Sequence, residues 1–215
     1  MEQQHEALPP EYFARYDEST DTNFYDQPRL VVHIDEGAIK AAGRLYADLL
    51  PPAGALLDMM SSWRSHLPPE FRYETMVGLG MNPVELAQNP QLTSYVLRDL
   101  NANPALPFDD SSFDGAICTV SVQYLTRPVE VFAEVGRVLK PGAPFVVTFS
   151  NRCFPSKAVR VWAATDDQQH TRLVSLYFQR AGLFDRIESY DRSPRSWLGD
   201  PLYGVAGWKR AEDEG

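Results

Sequence analysis

Residues 106–151 read LPFDDSSFDGAICTVSVQYLTRPVEVFAEVGRVLKPGAPFVVTFSN, and this stretch decides the fold. Residues 113–122 form an apolar run that predicts a strand. Residues 128–139 repeat apolar side chains at three- and four-residue steps, which indicates an amphipathic helix. Residues 140–142, Lys-Pro-Gly, end that helix, and residues 144–150 form another apolar run. Strands that alternate with helices in this way imply an α/β fold with a mostly parallel sheet.

The remaining chain continues the alternation on both sides of this stretch. An amphipathic helix is predicted from Asp35 to Leu50, a second helix begins at Asn82-Pro83, and a third covers Leu173–Ala181. Further strands are predicted over residues 55–59, 73–80, 95–99, 184–190 and 202–208. We expect the last two strands to form an antiparallel pair.

Composition limits the function classes. The chain has 215 residues, a formal net charge of −9 and a pI near 4.9, so its surface repels phosphate backbones and no nucleic-acid partner is expected. No apolar run reaches the roughly 18 residues of a membrane span, and the acidic N-terminus does not resemble a signal peptide. Two cysteines provide no disulfide framework, and the four histidines are scattered, so no metal site is predicted. These features favour a cytoplasmic protein.

Three strings in the opening stretch, at residues 106–108, 112–114 and 137–142, resemble those of class I S-adenosylmethionine-dependent methyltransferases of the type 11 group. In that family an LPF–acidic–SFD turn precedes strand four, and RVLKPGG leads to strand five. The resemblance covers about residues 35–210. It implies a Rossmann-like α/β fold, with a seven-stranded, mostly parallel sheet, a terminal antiparallel strand pair and helices on both faces. Residues 1–34 are then an N-terminal arm able to act as a lid, and 211–215 an acidic tail.

The loop after the first strand departs from the family. In the family this strand ends in an acidic residue and a G-x-G-x-G loop, which lets the backbone approach the methionine part of the cofactor. Asp58 matches the acidic residue, but Met60, Ser62 and Arg64 stand at the glycine positions. Ser61 and Ser62 are small and carry hydroxyl groups, so they can partly substitute for glycine. The resemblance therefore implies cofactor contacts from Asp58, Met60, Ser61 and Ser62.

Two further cofactor positions follow the second and third strands. The family carboxylate that holds both ribose hydroxyls aligns with Gly80, and Asn82, two residues on, is the nearest group able to bond one hydroxyl. Asp99 matches the acidic residue that accepts the adenine amino hydrogens, and Leu100 follows it. Asp99 is thus an expected cofactor contact that matches the family pattern, whereas the ribose contact is altered.

The arm and the fourth strand supply the remaining candidates. Tyr25 and Arg29 resemble positions at which family members close a lid over the cofactor. Gln123 and Tyr124 follow the fourth strand at the edge of the sheet where ligands bind, so they are candidates for substrate binding. The alternative for the arm residues is simple packing.

A catalytic base is required only if the methyl acceptor must lose a proton. His33 and His66 are candidates because imidazole titrates near neutral pH, and Tyr124 is a third. A single histidine is more often a structural hydrogen-bonding group, which is the alternative for both.

The first hypothesis for function is therefore S-adenosylmethionine-dependent methyl transfer to a small molecule. The alternative is a methyltransferase-fold protein that has lost catalysis and serves as a binding or scaffold protein, because the loop glycines and the ribose carboxylate are missing. An NAD-dependent enzyme is disfavoured, since Gly80 also lacks the acidic residue that would fix an adenosine ribose.

Overall fold

The computed structural model describes residues 8–194 and 199–211. Most of the predicted acidic tail and the first seven residues of the predicted arm lie outside this range. The helices are α1 Asp21–Tyr25, α2 Glu36–Leu49, α3 Pro83–Ala87, α4 Pro128–Val138, α5 Arg160–Ala163 and α6 Asp167–Ala181. The strands are β1 Ala55–Met59, β2 Thr75–Gly80, β3 Ser94–Leu97, β4 Gly115–Thr119, β5 Pro144–Phe149, β6 Phe184–Asp191 and β7 Tyr203–Lys209. No helix in these two ranges is long and apolar enough to cross a membrane.

The seven strands form one sheet in the order β3-β2-β1-β4-β5-β7-β6. The first five strands along the chain pair in parallel, and β7 runs antiparallel to both β5 and β6. The predicted fold class and the terminal antiparallel pair are confirmed. The strand order reverses direction between β1 and β4, and in open α/β sheets ligands bind at such a reversal, beyond the carboxyl ends of the strands.

Helices cover both faces of the sheet because successive strand residues point to opposite sides. Leu56 belongs to the apolar cluster beneath α2, whereas its neighbour Leu57 belongs to the larger cluster beneath α4 and α6. The larger cluster centres on ring contacts that Phe132 of α4 makes with Phe145 and Phe178. The sheet is therefore a rigid platform, and the loops at its carboxyl edge are left to form a site.

Several predicted boundaries differ from the structure. The predicted strand over residues 113–122 ends at Thr119, because Val120 adopts a left-handed backbone with φ of 51° that a strand cannot continue. β3 ends at Leu97, so Asp99 lies in the following turn. The last helix begins at Asp167, six residues before its predicted start, where Asp166 and Gln169 form a capping box ahead of the apolar spacing. Helices α1 and α5 were not predicted.

A buried charge cluster fastens the arm to the sheet domain. The Asp21 carboxylate on α1 accepts hydrogen bonds from Arg15 Nη1 at 2.7 and 2.9 Å, and Lys157 Nζ lies 3.2 Å away. Lys157 is 0% exposed, and Asp21 is 4% exposed. Burial raises the pKa of Asp21, but hydrogen bonds from Arg15 and Asn101 outweigh burial, so the pKa lies below its ordinary value.

Replacing Asp21 with alanine should therefore destabilise the fold. Asp21→Ala leaves two buried cations without this shared carboxylate, and we expect the free energy of unfolding to fall by about 3–5 kcal/mol. Glu36→Gln is the matched control, because Glu36 pairs with Lys40 at the exposed surface, where solvent screens the pair, and the substitution should leave stability nearly unchanged. Urea unfolding of both variants measures the difference. Equal, small changes would contradict a stabilising role for the cluster.

Candidate functional site

The loop after β1 is organised by the buried carboxylate of Asp58. Asp58 Oδ2 accepts hydrogen bonds from the hydroxyls of Ser61 and Ser65, both at 2.6 Å. Asn89 adds to the same network by donating to Ser65 Oγ at 2.9 Å and to the Ser62 carbonyl at 2.9 Å. Burial raises the pKa of Asp58 to about 6, and the two serine hydroxyls oppose that shift. Hydroxyl groups thus fix the path of a loop that contains no glycine.

Backbone strain concentrates at the carboxyl ends of the two central strands. Met60, directly after β1, has φ of 54°, and Val120, directly after β4, has φ of 51°. Glycine adopts this left-handed region without cost, whereas side-chain-bearing residues, and β-branched ones above all, rarely do. Met60 occupies the first of the three family glycine positions, so the loop keeps a backbone conformation typical of glycine at that position. Strain of this kind is often found at functional sites.

The end of β2 has no room for a side chain. A Cβ atom added to Gly80 would clash with the carbonyl oxygen of Ser61, and the Ser61 N–H donates to the Leu79 carbonyl at 2.8 Å. The loop after β1 therefore crosses directly over the end of β2. A carboxylate at the Gly80 position would require this loop to move.

A carboxylate does reach the same edge of the sheet from α3. Glu85 is 9% exposed, its Oε2 accepts from the Ser62 hydroxyl at 2.6 Å, and its Oε1 accepts from the Arg29 backbone N–H at 2.7 Å. The helix is started by Asn82, whose side chain accepts from the N–H groups of Val84 and Glu85. This cap places Glu85 in the first turn of α3, beside the loop after β1.

Asn82 itself supports the arm. Its Nδ2 donates to the carbonyls of Tyr25 and Asp26 at 2.9 and 3.0 Å, and its Oδ1 is occupied by the cap of α3. Both amide hydrogens are therefore used to support the arm, and the hydrogen bond from Asn82 to a ribose hydroxyl stays a prediction.

Asp99 shapes the turn that follows β3. Its Oδ1 accepts from the backbone N–H groups of Asn101 and Ala102 at 2.9 and 3.1 Å. Within residues 8–194 and 199–211 its Oδ2 has no hydrogen-bond partner. Asn101 then links this turn to its surroundings, since Nδ2 donates to Asp21 and to the carbonyl of Tyr124. Leu100 between them is buried.

The arm brings a cation over the site. The Arg29 guanidinium lies 4.4 Å from the ring centre of Phe24, 5.9 Å from that of Tyr25 and 5.4 Å from that of Phe154. Its Nη2 donates to the Phe24 carbonyl, whereas its buried Nη1 has no hydrogen-bond partner in the described part of the chain. A buried nitrogen of a guanidinium without a partner is rare, and it calls for an acceptor.

These groups line one cavity at the carboxyl edge of the sheet. Of the predicted cofactor residues, the cavity is lined by Tyr25, Arg29, Met60, Ser61, Ser62, Gly80, Asn82, Asp99 and Leu100. The predicted residues His33 and Tyr124 line it as well. It spans the ends of four neighbouring strands, a width of roughly 14 Å at about 4.8 Å per strand, which suits an elongated ligand.

Three predicted site residues do not line this cavity. Asp58 is 2% exposed and reaches the cavity only through Ser61. Gln123 is buried, and its Nε2 donates to the Val120 carbonyl, so the structure gives it a packing role and its substrate contact stays a prediction. His66 lies in the loop after β1, outside the cavity, and burial lowers its pKa to about 4.

The two remaining catalytic candidates differ in their proton chemistry. Burial lowers the pKa of His33, which keeps its imidazole neutral near pH 7 and able to accept a proton. Burial raises the pKa of Tyr124 to about 12, and its hydroxyl oxygen already accepts from the Phe154 N–H at 2.8 Å. Tyr124 therefore keeps its proton at neutral pH.

Sequence reasoning did not single out several residues that line the cavity, among them Glu85, Arg98, Asn101 and Phe154. Glu85 carried a usable signal, because it stands three residues after a recognised helix cap that follows a strand end. Phe154 comes from a loop beyond β5, and no local pattern marked it. No group of three or more His, Cys, Asp or Glu side chains among the described residues is placed to hold a metal ion.

The fold and the cavity together define a class of protein. A parallel sheet whose strand ends meet at a reversal of strand order, with acidic side chains and a long cavity there, is typical of domains that bind nucleotide-type cofactors.

Comparisons with known proteins find a family match within the chain. Residues 67–147 match the methyltransferase domain family. The chain is similar to "Methyltransferase phqN" of Penicillium fellutanum, with 40% identity over 125 residues that cover 55% of this chain and 36% of that protein. It is also similar to a malonyl-[acyl-carrier protein] O-methyltransferase of Marinomonas sp., with 27% identity over 54% of this chain and 40% of that protein. The chain thus spans well under half the length of either relative.

Solved structures agree in fold at low sequence identity. The [4+2]-cyclase SpnF superposes with a TM-score of 0.62 at 14% identity and covers 89% of this chain and 92% of its own. Phosphoethanolamine N-methyltransferase 2 of Haemonchus contortus, solved with S-adenosyl-L-methionine, gives 0.57 at 13% identity over 80% of this chain and 52% of its own. Together with the match of residues 67–147 to the methyltransferase domain family, these likenesses show that the chain has the fold of S-adenosylmethionine-dependent methyltransferases.

The raised pKa of Asp58 predicts how stability depends on pH. The pKa of the Asp58 carboxyl group rises from 3.8 in the unfolded chain to about 6 in the folded one. The protonated form of this group therefore favours folding. The folded state therefore loses stability as pH rises from about 4 to about 6.5. Asp58→Asn removes this titration, so its stability relative to the wild type should increase by about 3 kcal/mol between pH 4 and pH 7.

Denaturant unfolding at a series of pH values measures this change. Asp185→Asn is the control, because Asp185 is exposed on β6 and its replacement should give a curve parallel to the wild type. A parallel curve for Asp58→Asn as well would show that this carboxyl is not perturbed by burial.

Proposed function

We propose that this chain binds S-adenosylmethionine in the cavity and transfers its methyl group to a small-molecule acceptor. One observation carries the proposal. Two polar atoms of cavity-lining residues have no hydrogen-bond partner among the described residues. They are the buried Nη1 of the Arg29 guanidinium and Oδ2 of the Asp99 carboxylate. A ligand that satisfies both carries a hydrogen-bond acceptor, for which an anionic group is the strongest match, and a hydrogen-bond donor on one elongated molecule.

The cofactor fits this requirement. Its amino-acid carboxylate matches the Arg29 guanidinium, and its adenine amino group matches the free oxygen of Asp99, as expected from the family resemblance. Leu100 is the apolar neighbour of Asp99 in the cavity wall. When bound, the cofactor supplies a methyl group on a positively charged sulfur that is already activated as a leaving group.

The protein then contributes alignment and the exclusion of water. Phe24 and Tyr25 of the arm make an edge contact with ring centres 5.0 Å apart, and Phe154 lies 5.4 Å from Phe24. Phe154 also stacks on Tyr124, with ring centres 5.9 Å apart. This aromatic group covers the side of the cavity that faces the arm and separates it from bulk water.

A place for the acceptor adjoins the main cavity. A second, smaller cavity shares His33, Met60 and Val120 with the first and extends between the arm and the loop after β1. His33 borders both cavities and His66 only the second, so His33 is the better placed of the two to take a proton when the acceptor must lose one. The relatives in the comparisons are named for different acceptors, and the size of this second space favours a small one.

The first test is calorimetric titration with S-adenosylmethionine and S-adenosylhomocysteine. Binding in the micromolar range followed by methyl transfer to a small acceptor supports the proposal. No binding at millimolar cofactor would overturn it. Binding without methyl transfer to any acceptor would support the alternative of a methyltransferase-fold protein that no longer catalyses the reaction.

Arg29 provides a specific prediction. Arg29→Met removes the cation proposed to hold the amino-acid carboxylate, so affinity for S-adenosylhomocysteine should fall about 10- to 100-fold. Affinity for 5′-methylthioadenosine, which lacks the amino acid, should change less than about threefold. Calorimetry on both ligands measures the difference.

Arg64→Met is the matched control, since Arg64 is exposed, stacks on Trp63 and does not line the main cavity. It removes the same charge from the protein and should leave both affinities unchanged. Equal losses for the two ligands in Arg29→Met would show that Arg29 does not contact the carboxylate.

A further inference from the structure

The family position for the ribose carboxylate is closed in this chain. Gly80 ends β2, and the Ser61 carbonyl lies too close to where a Cβ atom of residue 80 would stand. Contacts between real Cβ atoms and backbone oxygens essentially never come this close. Ser61 cannot retreat freely, because its N–H is bonded to the Leu79 carbonyl and its hydroxyl to Asp58. Recognition of the ribose in this cavity therefore has to come from another element.

Glu85 is a carboxylate with unused acceptor capacity at this edge. A carboxylate has about four acceptor positions, and the structure assigns one on each oxygen of Glu85, to Ser62 and to the Arg29 N–H. Within the described ranges no Lys, Arg or His forms an ion pair with Glu85. A buried carboxylate without a cation is costly unless further donors satisfy it. One acceptor position remains on each oxygen.

Two vicinal hydroxyls match this arrangement. The 2′ and 3′ hydroxyls of a ribose are adjacent donors, and a carboxylate can accept one hydrogen bond from each of them with its two oxygens. Asn82 was the other polar side chain near the end of β2 that was expected to bind the ribose. Within the described structure, both of its amide hydrogens are committed to the Tyr25 and Asp26 carbonyls. Glu85 borders the cavity between Asn82 and the loop after β1.

We propose that Glu85 of α3, instead of a residue at the end of β2, accepts the hydrogen bonds of both ribose hydroxyls of the cofactor. This inference rests on the proposed cofactor binding. The carboxylate has moved by five residues along the chain, from a strand end to the first turn of a helix. Its orientation is fixed by Ser62 and by the backbone of Arg29, so the ribose subsite and the arm share one acceptor group.

The test combines a protein variant with ligand analogues. Wild type and Glu85→Gln are titrated with S-adenosylhomocysteine and with its 2′-deoxy and 3′-deoxy analogues. In the wild type, each deoxy analogue should bind about 10-fold more weakly than the parent. Glu85→Gln should weaken binding of the parent about 10- to 100-fold but weaken binding of the deoxy analogues by a clearly smaller factor.

Two further variants separate ribose contact from general damage. Glu130→Gln removes a surface carboxylate on α4 and should leave all three affinities unchanged. Ser62→Ala removes one hydrogen bond to Glu85 but keeps the carboxylate, so the protein should still discriminate between the parent and its deoxy analogues. Retained discrimination in Ser62→Ala together with reduced discrimination in Glu85→Gln supports the inference.

The possible failures are distinguishable. If wild type binds the parent but Glu85→Gln weakens parent and analogues by the same factor, the ribose inference is overturned and cofactor binding stands. If wild type binds none of the three ligands at millimolar concentration, the proposed function fails first, and the inference fails with it.

Discussion

The contact between the Ser61 carbonyl and the end of β2 constrains the rest of the site. Because Asp58 holds the hydroxyls of Ser61 and Ser65, the loop after β1 curls over Gly80 and leaves no room for a side chain there. Small hydroxyl residues thus fix this loop where the family uses glycine. The closed position explains why the acidic group at this edge comes from α3, as Glu85, where the helix cap orients it towards the same cavity.

Hydrogen bonds of Glu85 and Asn82 couple the arm to the cavity. Glu85 accepts a hydrogen bond from the backbone of Arg29, and Asn82 holds the carbonyls of Tyr25 and Asp26. A ligand that binds Glu85 and the Arg29 guanidinium therefore interacts with both the arm and the sheet domain. Order in the arm and ligand binding are energetically linked, because each stabilises the orientation of groups that the other requires. The buried cluster around Asp21 fastens the opposite end of α1.

Elements with a strong local signal were predicted well. The bounds of β1 are those expected, and α4 ends one residue before its predicted end, because a continuous apolar run and a helical stripe followed by Lys-Pro-Gly leave little choice. The start of α6 was missed because its capping box precedes the apolar stripe. The cap at Asn82 was recognised, but the hydrogen bonds from its amide group to the distant carbonyls of Tyr25 and Asp26 were not.

The sequence by itself determined the sheet, the longer helices and the resemblance to methyltransferases, because hydrophobic periodicity, caps and turn residues act within a few positions of the chain. Only the tertiary structure decided which side chains line the cavity. Arg29 and Glu85 are 56 residues apart in the chain and yet share a hydrogen bond, and the backbone at Ser61 excludes a side chain at Gly80. Such contacts depend on the path of two loops in space, and no local pattern encodes that path.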